Sequence, residues 1–344
     1  MVGPRFGDAV WAPIAASGIA HRSVPAGRYP RFAGAVPALL RLVDGELIYA
    51  SKPRPTSFGL GLLARARRRR PLLLDIDDWE VGFFKRGGAW GGIGRALNLG
   101  DPNGLSWTWL CERAVRAADG VTVASRFLEQ RFGGTFVTHV RDTEAWDPTR
   151  HDGAAIRARL DVGRRRLVMF LGTPRAYKGV DDLVEAVGRL GADVALALVG
   201  VDSASAAARR WLERPFVRLV GPVPFDEVPD YLAAADVVVV PQRATADTLG
   251  QVPAKLIDAM ALARPVVATA VSMIPEILDG CGVVVAPGDV RALGEGIRSL
   301  LADPARAAAL GARARARCVE RYSFAAARAV LFPLVDGLLE RPRA

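Results

Sequence analysis

The second half of the chain alternates short, continuously apolar runs with amphipathic stretches. We predict strands from the apolar runs at residues 167–171, 194–199, 217–220, 237–240, 266–269 and 283–286. Helices are predicted between them at 180–190, 203–212 and 254–263. The run 237–240 consists of valine alone, so this strand must be buried on both faces. Such strands, separated by helices, predict an α/β domain with a parallel sheet covered by helices on both sides.

The predicted strands of this half end in turn residues, namely Gly172, Gly200, Gly221 and Pro241. In open parallel sheets, ligands bind outside the carboxyl ends of the strands. We therefore expect functional side chains to follow these four residues.

The first half carries a weaker version of the same pattern. Strands are predicted at residues 47–50, 72–76, 121–124 and 136–140, and helices at 59–69, 105–118 and 126–132. The glycine-rich stretch 87–94 is predicted to be a mobile loop. At about 150 residues per domain, 344 residues suffice for two domains. Proline, glycine and charged residues mark a linker at 147–163, so the predicted boundaries are 1–162, 163–322 and a last helical segment, 323–344.

Composition limits the classes of protein that fit. Apolar residues make up 51% of the chain, which excludes a largely disordered protein. Three widely spaced cysteines without a CxxC pair argue against a disulfide framework or a zinc site and favour a reducing cytoplasm. The net charge of +10 indicates either an arginine-rich solvated surface or attraction to an anionic partner, such as nucleic acid, acidic lipid or a phosphorylated substrate.

The most informative local motif is GTPRAYKG, at residues 172–179, which follows a predicted strand and opens a helix. A turn with two cations at a helix N-terminus can cradle a phosphate, because backbone N–H groups and positive charge converge there. Arg175 offers a planar guanidinium and Lys178 a compact ammonium. The alternative is an ordinary strand-to-helix turn with solvated cations.

A second motif, GQVPAKLIDAMA at residues 250–261, follows the strand at 237–240 after a polar loop. Pro253 suits a first helical turn. Lys255 and Asp258 are three residues apart and share a helix face, where they could hold an anion and a hydroxylated ring or form an ordinary surface ion pair. Two of the chain's four lysines, Lys178 and Lys255, fall in these two motifs, which favours a functional role.

Taken together, these motifs resemble the C-terminal domain of the retaining glycosyltransferase family 4. The resemblance rests on residues 172–179, 236–241, 250–261, 264–269 and 275–278 and covers most of 165–322. It implies the GT-B fold, in which two Rossmann-like domains with parallel sheets face a cleft and a C-terminal helix crosses back to the first domain. It also implies a nucleoside-diphosphate sugar as donor, bound by the C-terminal domain, and an acceptor held mainly by the N-terminal one.

The resemblance implies roles for individual residues. Lys178 and Arg175 would bind the donor diphosphate and stabilise charge on the departing nucleotide, with no metal or cofactor. Asp258 matches an acid that hydrogen-bonds the ribose hydroxyl groups in that family. The other residues implied at the donor site are Gly172, Thr173, Val223, Thr248, Gly250, Gln251, Lys255 and Glu276.

The chain departs from the family pattern at several positions. Thr173 stands where the family has arginine, and the guanidinium follows two residues later. Gly250 replaces an acid that contacts the donor sugar. Residues 1–4 resemble the tail of the family's second strand, so we expect the first strand, glycine loop and first helix to be missing and to leave an interior gap. On this view the native start lies upstream, or this form is impaired.

An acidic cluster, DIDDWE at residues 75–80, follows a predicted strand of the first half, where the family usually has a His-Asp pair. We expect Asp77, Asp78 or Glu80 to face the acceptor. A DxD sequence after an apolar strand also binds a divalent cation in GT-A glycosyltransferases, and it opens the phosphatase motif of haloacid dehalogenase-like enzymes. Neither alternative explains the second half of the chain.

A run of arginines, Arg65 and residues 67–70, is the densest charge in the chain. Basic N-terminal domains in the resembling family often contact anionic membranes that carry lipid-linked acceptors. A solvated helix end is the alternative. Binding of nucleic acid is disfavoured, because the sequence contains no recognition module for it.

The sequence therefore predicts a metal-independent, retaining glycosyltransferase that acts on a glycan or lipid-linked glycan. It is expected in the cytoplasm, with peripheral contact to the inner face of the plasma membrane. Two other hypotheses remain. One is a non-catalytic glycosyltransferase-like protein that binds nucleotide or serves as a partner subunit, favoured by Gly250 and the missing first unit. The other is a GT-B nucleotide-sugar epimerase, which would act without an acceptor.

Overall fold

The computed structural model describes residues 1–10, 12–15, 18–85 and 89–340, with side chains for 1–10, 14–15, 18–85 and 93–340. The chain divides into two compact units. Unit 1 comprises Met1–Val137 together with the residues from Val330 onward, and unit 2 comprises Thr138–Ala329. The predicted boundary after residue 162 therefore lies inside unit 2.

Unit 1 contains a two-stranded and a four-stranded parallel sheet. The first pairs β1 (Val2–Arg5) with β2 (Arg22–Pro25). The second has the order β3-β4-β5-β6 and consists of β3 (Ile48–Ser51), β4 (Leu72–Ile76), β5 (Gly120–Val123) and β6 (Thr135–Phe136). Its helices are α1 (Ala12–Ala15), α2 (Arg31–Leu42), α3 (Leu60–Arg68), α4 (Ala89–Leu97), α5 (Leu105–Arg113) and α6 (Arg126–Phe132). The strand predicted at 136–140 is shortened to β6.

Two further predictions for unit 1 need correction. The helix predicted at 105–118 ends at Arg113 and is followed by a separate 3-10 turn, Val115–Ala117. The loop predicted at 87–94 is helical from Ala89 onward, as part of α4, and its first two residues lie outside the described residues. A tertiary contact supports α4, since Ser106 Oγ of α5 donates to the Ala96 carbonyl at 2.6 Å. The glycine content of the stretch does not reveal that contact.

The strands nearest the start of the chain are incompletely paired. Among the described strands, β1 pairs with β2 alone and β3 with β4 alone. A cavity of about 260 Å³ is lined by Met1 and Val2 and by Ile48, Tyr49 and Ala50 of β3. One edge of β3 therefore lacks a neighbouring strand, and its backbone groups on that side have no sheet partner.

Unit 2 is built on a six-stranded parallel sheet with the order β12-β11-β10-β7-β8-β9. Its strands are β7 (Arg166–Leu171), β8 (Val194–Val199), β9 (Val217–Val220), β10 (Val237–Val240), β11 (Val266–Thr269) and β12 (Val283–Val285). Its helices are α7 (Ala154–Arg159), α8 (Val180–Gly188), α9 (Ala206–Leu212), α10 (Val228–Ala234), α11 (Ala254–Ala261), α12 (Ile274–Leu278), α13 (Val290–Ala302) and α14 (Pro304–Arg321). The last helix, α15 (Phe324–Leu339), begins in unit 2 and ends in unit 1. All six predicted strands form.

Apolar strands explain why this sheet lies inside unit 2. Leu196 and Leu198 of β8 are completely buried, as is Leu183 of α8, which packs in the same core. Ile297 of α13 joins them. Burying each side chain of this size contributes about 1.5–3 kcal/mol, so strands without polar residues are stable only when helices cover both faces.

The segment predicted as a linker is folded against unit 2. Arg157 Nη1 of α7 donates to the Ala234 carbonyl at 2.9 Å. His151 Nδ1 lies 2.8 Å from a carboxylate oxygen of Asp230. Gly153 packs so tightly that a Cβ atom there would lie 2.2 Å from the Ala234 backbone. These contacts attach residues 151–157 to unit 2, in agreement with a division of the chain before residue 138 instead of after residue 162.

The last helix, α15, forms as predicted. Residues up to Ala329 belong to unit 2, and those from Val330 onward belong to unit 1. Leu338 is 2% exposed and packs near Gly120 of β5. Among the described residues, no helix combines the length and the apolar character needed to cross a bilayer.

Candidate functional site

The carboxyl ends of β7 and β10 form the switch point of the unit 2 sheet. The two strands are neighbours, and the chain continues to β8 and β9 on one side and to β11 and β12 on the other. Loops diverge at such a point and leave a crevice in which ligands bind. A cavity of about 240 Å³ lies there. It brings together five of the predicted site residues, which are Gly172, Thr173, Arg175, Lys178 and Lys255.

The loop 172–179 owes its shape to two glycines. Gly172 has a φ of +138° and Gly179 a φ of +65°, both in the region that favours glycine. A Cβ atom on Gly179 would lie 1.9 Å from the Pro241 carbonyl oxygen, so only glycine fits. The loop is thereby pressed against the end of β10, and α8 starts directly after it at Val180.

Three cations line the cavity without being equally buried. Arg175 is exposed, Lys178 is half-buried with its ammonium 5.2 Å from the centre of the Tyr177 ring, and Lys255 lies beside Gly172. Arg243 follows Gln242 in sequence but is not part of the lining, and its Nε donates a hydrogen bond to Asp182 at 2.8 Å. Positive side chains around a helix N-terminus are suited to binding a diphosphate.

Asp258 is buried and already has a cationic partner. Its side chain is 0% exposed, and its Oδ1 accepts a hydrogen bond from Arg141 Nε. The Lys255 ammonium lies 3.5 Å from its other carboxylate oxygen. The pair predicted on the face of α11 therefore exists, but Asp258 is interior and is not part of the cavity lining. Arg141 carried no local sequence signal, because it lies 117 residues away.

Sequence reasoning missed Gln242, which lines the same cavity directly after Pro241. The residue is 1% exposed, and its Nε2 donates to Gln251 Oε1 at 3.3 Å. Its Oε1 is buried and has no hydrogen-bond partner among the described residues. The rule that places function at the carboxyl ends of strands could have found it, because Gln242 is the second residue after β10.

The other predicted donor-site residues lie outside the cavity lining. Thr248 is fully buried, and its Oγ1 lies 2.9 and 3.0 Å from the Arg243 and Thr245 carbonyl oxygens, which share its one hydroxyl proton, so this hydroxyl shapes its own loop. Gly250 is buried in the same loop, and Gln251 does not line the cavity but accepts a hydrogen bond from Gln242, which does. Two more predicted residues are not part of the lining, namely Val223, which is half-buried after β9, and Glu276, which is exposed on α12.

Unit 1 places Asp77 and Asp78 at the carboxyl end of β4, around the ammonium of Lys52. Lys52 Nζ lies 2.9 Å from Asp77 Oδ1, 3.3 Å from Asp78 Oδ2 and 2.9 Å from Glu80 Oε1. Glu80 is completely buried and also accepts from Arg54 Nε at 2.8 Å. Glu80 is therefore an interior counter-ion, which removes it from the residues expected to face an acceptor.

The charges of this cluster shift its pKa values. Burial raises the pKa of Asp78, and the charge of Asp77 raises it further. For Lys52, burial acts to lower the pKa, but Glu80, Asp77 and Asp78 outweigh it, so the pKa is raised. One carboxylate oxygen from each of the three acids lies within 4.8 Å of the others, a spacing suited to a metal ion. Lys52 supplies at that place the positive charge that a divalent cation would bring.

Residues 165–303 match the family model described as "Glycosyl transferases group 1". The matched range contains the loop 172–179, the ends of β7 and β10, and all of α11. The chain carries a glycosyl transferases group 1 domain. Three of the motifs that suggested this resemblance, at 172–179, 236–241 and 250–261, contribute residues to the lining of the unit 2 cavity.

Relatives of known name extend the similarity beyond this group 1 domain. The chain is 29% identical over 337 residues to the GDP-mannose-dependent alpha-(1-6)-phosphatidylinositol monomannoside mannosyltransferase of Mycolicibacterium smegmatis, covering 92% of this chain and 82% of that protein. It is 32% identical over 248 residues to the alpha-maltose-1-phosphate synthase of the same organism, covering 63% of each.

Solved structures identify the fold around the group 1 domain. Sucrose-phosphate synthase from Thermosynechococcus elongatus matches with a TM-score of 0.72 at 21% identity, covering 92% of this chain and 83% of that chain. The Anabaena protein HepE, solved with UDP and glucose, matches with a TM-score of 0.72 at 19% identity, covering 99% and 92%. The chain has the GT-B fold.

Proposed function

We propose that the protein transfers a sugar from a nucleoside-diphosphate sugar to an acceptor. The observation that carries this proposal is the convergence of Arg175, Lys178 and Lys255 on one cavity at the switch point of a group 1 domain. A diphosphate carries the negative charge that these cations match. The relatives named as transferases and the HepE structure with bound UDP and glucose support a nucleotide-sugar donor.

In the proposed reaction, Lys178 and Arg175 stabilise the charge that develops on the departing nucleoside diphosphate. Fixed cations in a partly enclosed cavity need no reorganisation when the bond to the sugar breaks, so they act more strongly there than in water. We propose that transfer needs no metal and retains the anomeric configuration. Gly172 and Thr173 would bring the backbone close to the phosphates, since both line the cavity.

The proposed acceptor is a glycan or a lipid-linked glycan. The relative from Mycolicibacterium smegmatis bears the name of an enzyme that acts on phosphatidylinositol monomannoside, which is a lipid. Asp77 and Asp78 are the proposed contacts for acceptor hydroxyl groups, because both are partly exposed at a strand end while Lys52 fixes their orientation.

An apolar surface of unit 1 supports contact with a membrane. Leu63 of α3 and Leu110 of α5 are 50% and 49% exposed at the edge of an apolar cavity of about 460 Å³. Arg67 lies one turn from Leu63 and is exposed, whereas Arg65 of the same run is paired with Asp119. We propose peripheral binding to the cytoplasmic leaflet. The three cysteines, free and buried, fit a reducing compartment.

The donor is tested by thermal-shift titration with UDP, GDP and ADP and their sugar conjugates, followed by a transfer assay with and without EDTA. We expect one nucleotide series to raise the melting temperature, because a ligand that binds the native state stabilises it in proportion to its affinity. Transfer that persists in EDTA and gives a product of retained configuration by NMR would support the mechanism. Absence of any stabilising nucleotide would refute the proposal.

Membrane contact has its own test, co-sedimentation with vesicles. We expect binding to vesicles that contain anionic phosphatidylglycerol and weaker binding to neutral phosphatidylcholine vesicles. L63E should reduce the bound fraction, and L212E, at a leucine of unit 2 that is 54% exposed, serves as the matched control. Equal binding by L63E and L212E would contradict this surface.

A second candidate is a non-catalytic nucleotide-binding protein. Two observations favour it: Gly250 stands where an acid contacts the donor sugar in the resembling family, and Asp258 is engaged by Arg141. Such a protein would bind a nucleoside diphosphate in the thermal-shift titration but would neither transfer nor hydrolyse the sugar.

A further inference from the structure

The buried amide of Gln242 has an unused hydrogen-bonding atom beside the cations of unit 2. Its Oε1 has no partner among the described residues, although the residue is 1% exposed and lines the cavity. A buried polar atom without a partner costs about 1–3 kcal/mol. A ligand in the cavity that donates a hydrogen bond to this atom would remove that free-energy cost, so we expect the atom to contact a bound ligand.

Two contacts hold Gln242 in place. Its backbone carbonyl accepts a hydrogen bond from Thr269 Oγ1 at the end of β11. Its side-chain Nε2 donates to Gln251 Oε1 at 3.3 Å. The second contact also orients the amide, because reversing it would turn two carbonyl oxygens toward each other unless Gln251 reversed as well. In the orientation that the structure gives both amides, the free atom of Gln242 is Oε1, an acceptor, and it needs a donor group from the ligand.

The phosphates of a nucleotide cannot supply that donor. At neutral pH a diphosphate offers oxygen acceptors, and the three cations that line the cavity already match them. The ribose and the transferred sugar both offer O–H donors, and a neutral amide can bind either without opposing the negative phosphates. The resemblance assigns the ribose to Asp258, which leaves the transferred sugar for Gln242. The chain has Gly250 where the resembling family has a carboxylate that contacts the sugar, so this task is open to another residue.

We propose that Gln242, oriented by Gln251, binds a hydroxyl group of the transferred sugar and so determines which sugar the protein accepts. The inference rests on the proposed donor site and deepens it. Gln242 acts on specificity and affinity for the sugar part of the donor, while the cations act on its diphosphate.

The test compares binding of a nucleoside diphosphate with binding of its sugar conjugate by isothermal titration calorimetry. Wild-type protein is titrated with UDP and UDP-glucose and with GDP and GDP-mannose. The variant Q242M keeps the length of the side chain but removes both polar atoms. We expect Q242M to bind the free diphosphate within about twofold of wild type and to bind the sugar conjugate roughly 3- to 10-fold more weakly.

Two further variants make the result specific. Q130M carries the same change at the chain's third glutamine, which is exposed on α6 of unit 1, and should bind both ligands like wild type. Q251M should show a smaller selective loss, because it frees the Gln242 amide to rotate. Circular dichroism and melting temperature check that each variant is folded.

The outcomes separate this inference from the proposed function. Equal losses for diphosphate and sugar conjugate in Q242M, or no loss for either, would overturn the role of Gln242 while leaving the donor site intact. A wild-type protein that binds none of the four ligands would overturn the donor site and, with it, this inference.

Discussion

Arg141 and Asp258 are 117 residues apart in sequence, yet they form an ion pair in the interior of unit 2. The Asp258 side chain is 0% exposed and that of Arg141 16%. Arg141 also lies 5.5 Å from the centre of the Trp146 ring, which adds a cation–π contact. The pair fixes the segment after β6 to α11, whose Lys255 reaches the candidate donor cavity.

Replacing Arg141 by methionine should destabilise the protein strongly. R141M removes the hydrogen-bonded cation of the buried Asp258 carboxylate and leaves only the Lys255 ammonium, 3.5 Å from Oδ2. We therefore expect the free energy of unfolding to fall by about 3 kcal/mol, the lower end of the range for a broken buried pair. Urea unfolding monitored by circular dichroism measures the change. The control R126M removes an arginine from a surface pair with Glu129 and should cost less than about 1 kcal/mol. Similar losses in the two variants would contradict a special role for Arg141.

The proposed transfer should depend on Lys178. K178A removes one cation from the cavity, and we expect turnover to fall about 10²- to 10³-fold with an unchanged circular dichroism spectrum. K85A is the matched control, because Lys85 belongs to unit 1 and packs on the Trp79 ring. If K178A kept full activity at a saturating donor concentration, the proposed role of Lys178 in stabilising the departing nucleotide would be wrong.

Gly179 should tolerate no side chain. G179A would place a Cβ atom 1.9 Å from the Pro241 carbonyl oxygen at a φ of +65°, so the loop or β10 must shift. We expect the free energy of unfolding to fall by more than about 2 kcal/mol, with loss of nucleotide binding. Gly221, with nothing within 4 Å of its Cβ position, provides the control G221A. Unchanged stability of G179A in urea unfolding would show that the loop does not pack tightly against the Pro241 carbonyl group.

Removing Lys52 should convert the acidic cluster into a metal site. In K52M, Asp77, Asp78 and Glu80 lose the ammonium that they share, and three carboxylates within 4.8 Å suit Mn²⁺. We expect electron paramagnetic resonance to detect Mn²⁺ bound by K52M and much less bound by wild type or K52R, which keeps the positive charge. Equal Mn²⁺ binding by all three proteins would argue against Lys52 as the resident cation.

Stability should fall in mildly alkaline solution because of the buried thiols. Burial raises the pKa of Cys318 to about 12 and that of Cys111 to about 11, whereas an unfolded cysteine titrates near pH 8.5. Between about pH 8.5 and 10 the unfolded state therefore loses protons that the native state keeps, so the free energy of unfolding declines as pH rises. C318A should show a shallower decline in urea unfolding at pH 8, 9 and 10. An unchanged slope would count against this cause.

The fold of unit 2 could be predicted from the sequence because its signals are local. Apolar runs such as Val237–Val240 are long enough to define buried strands, and Gly172 and Gly179 mark the turn between β7 and α8. Those same residues carry the resemblance to a glycosyltransferase family, and the match of residues 165–303 to the glycosyl transferases group 1 model confirmed a domain of that kind. In unit 1 the strand signals were weaker. The strand predicted at 136–140 is β6 (Thr135–Phe136), the helix predicted at 105–118 ends at Arg113, and α4 starts at Ala89 inside the stretch predicted to be a loop.

Sequence alone determined which segments of unit 2 become strands and which helix is preceded by cationic side chains. It also indicated that ligand-binding residues would follow the carboxyl ends of those strands. Only the tertiary structure decided that Arg141 neutralises Asp258, that Lys52 stands among three acids, and that Gln242 keeps one amide atom unpaired beside the cavity. The physical reason is the sequence separation over which each kind of interaction acts. Apolar periodicity and turn preferences act between residues close in sequence, whereas ion pairs and orphaned polar groups depend on which distant residues the fold brings together.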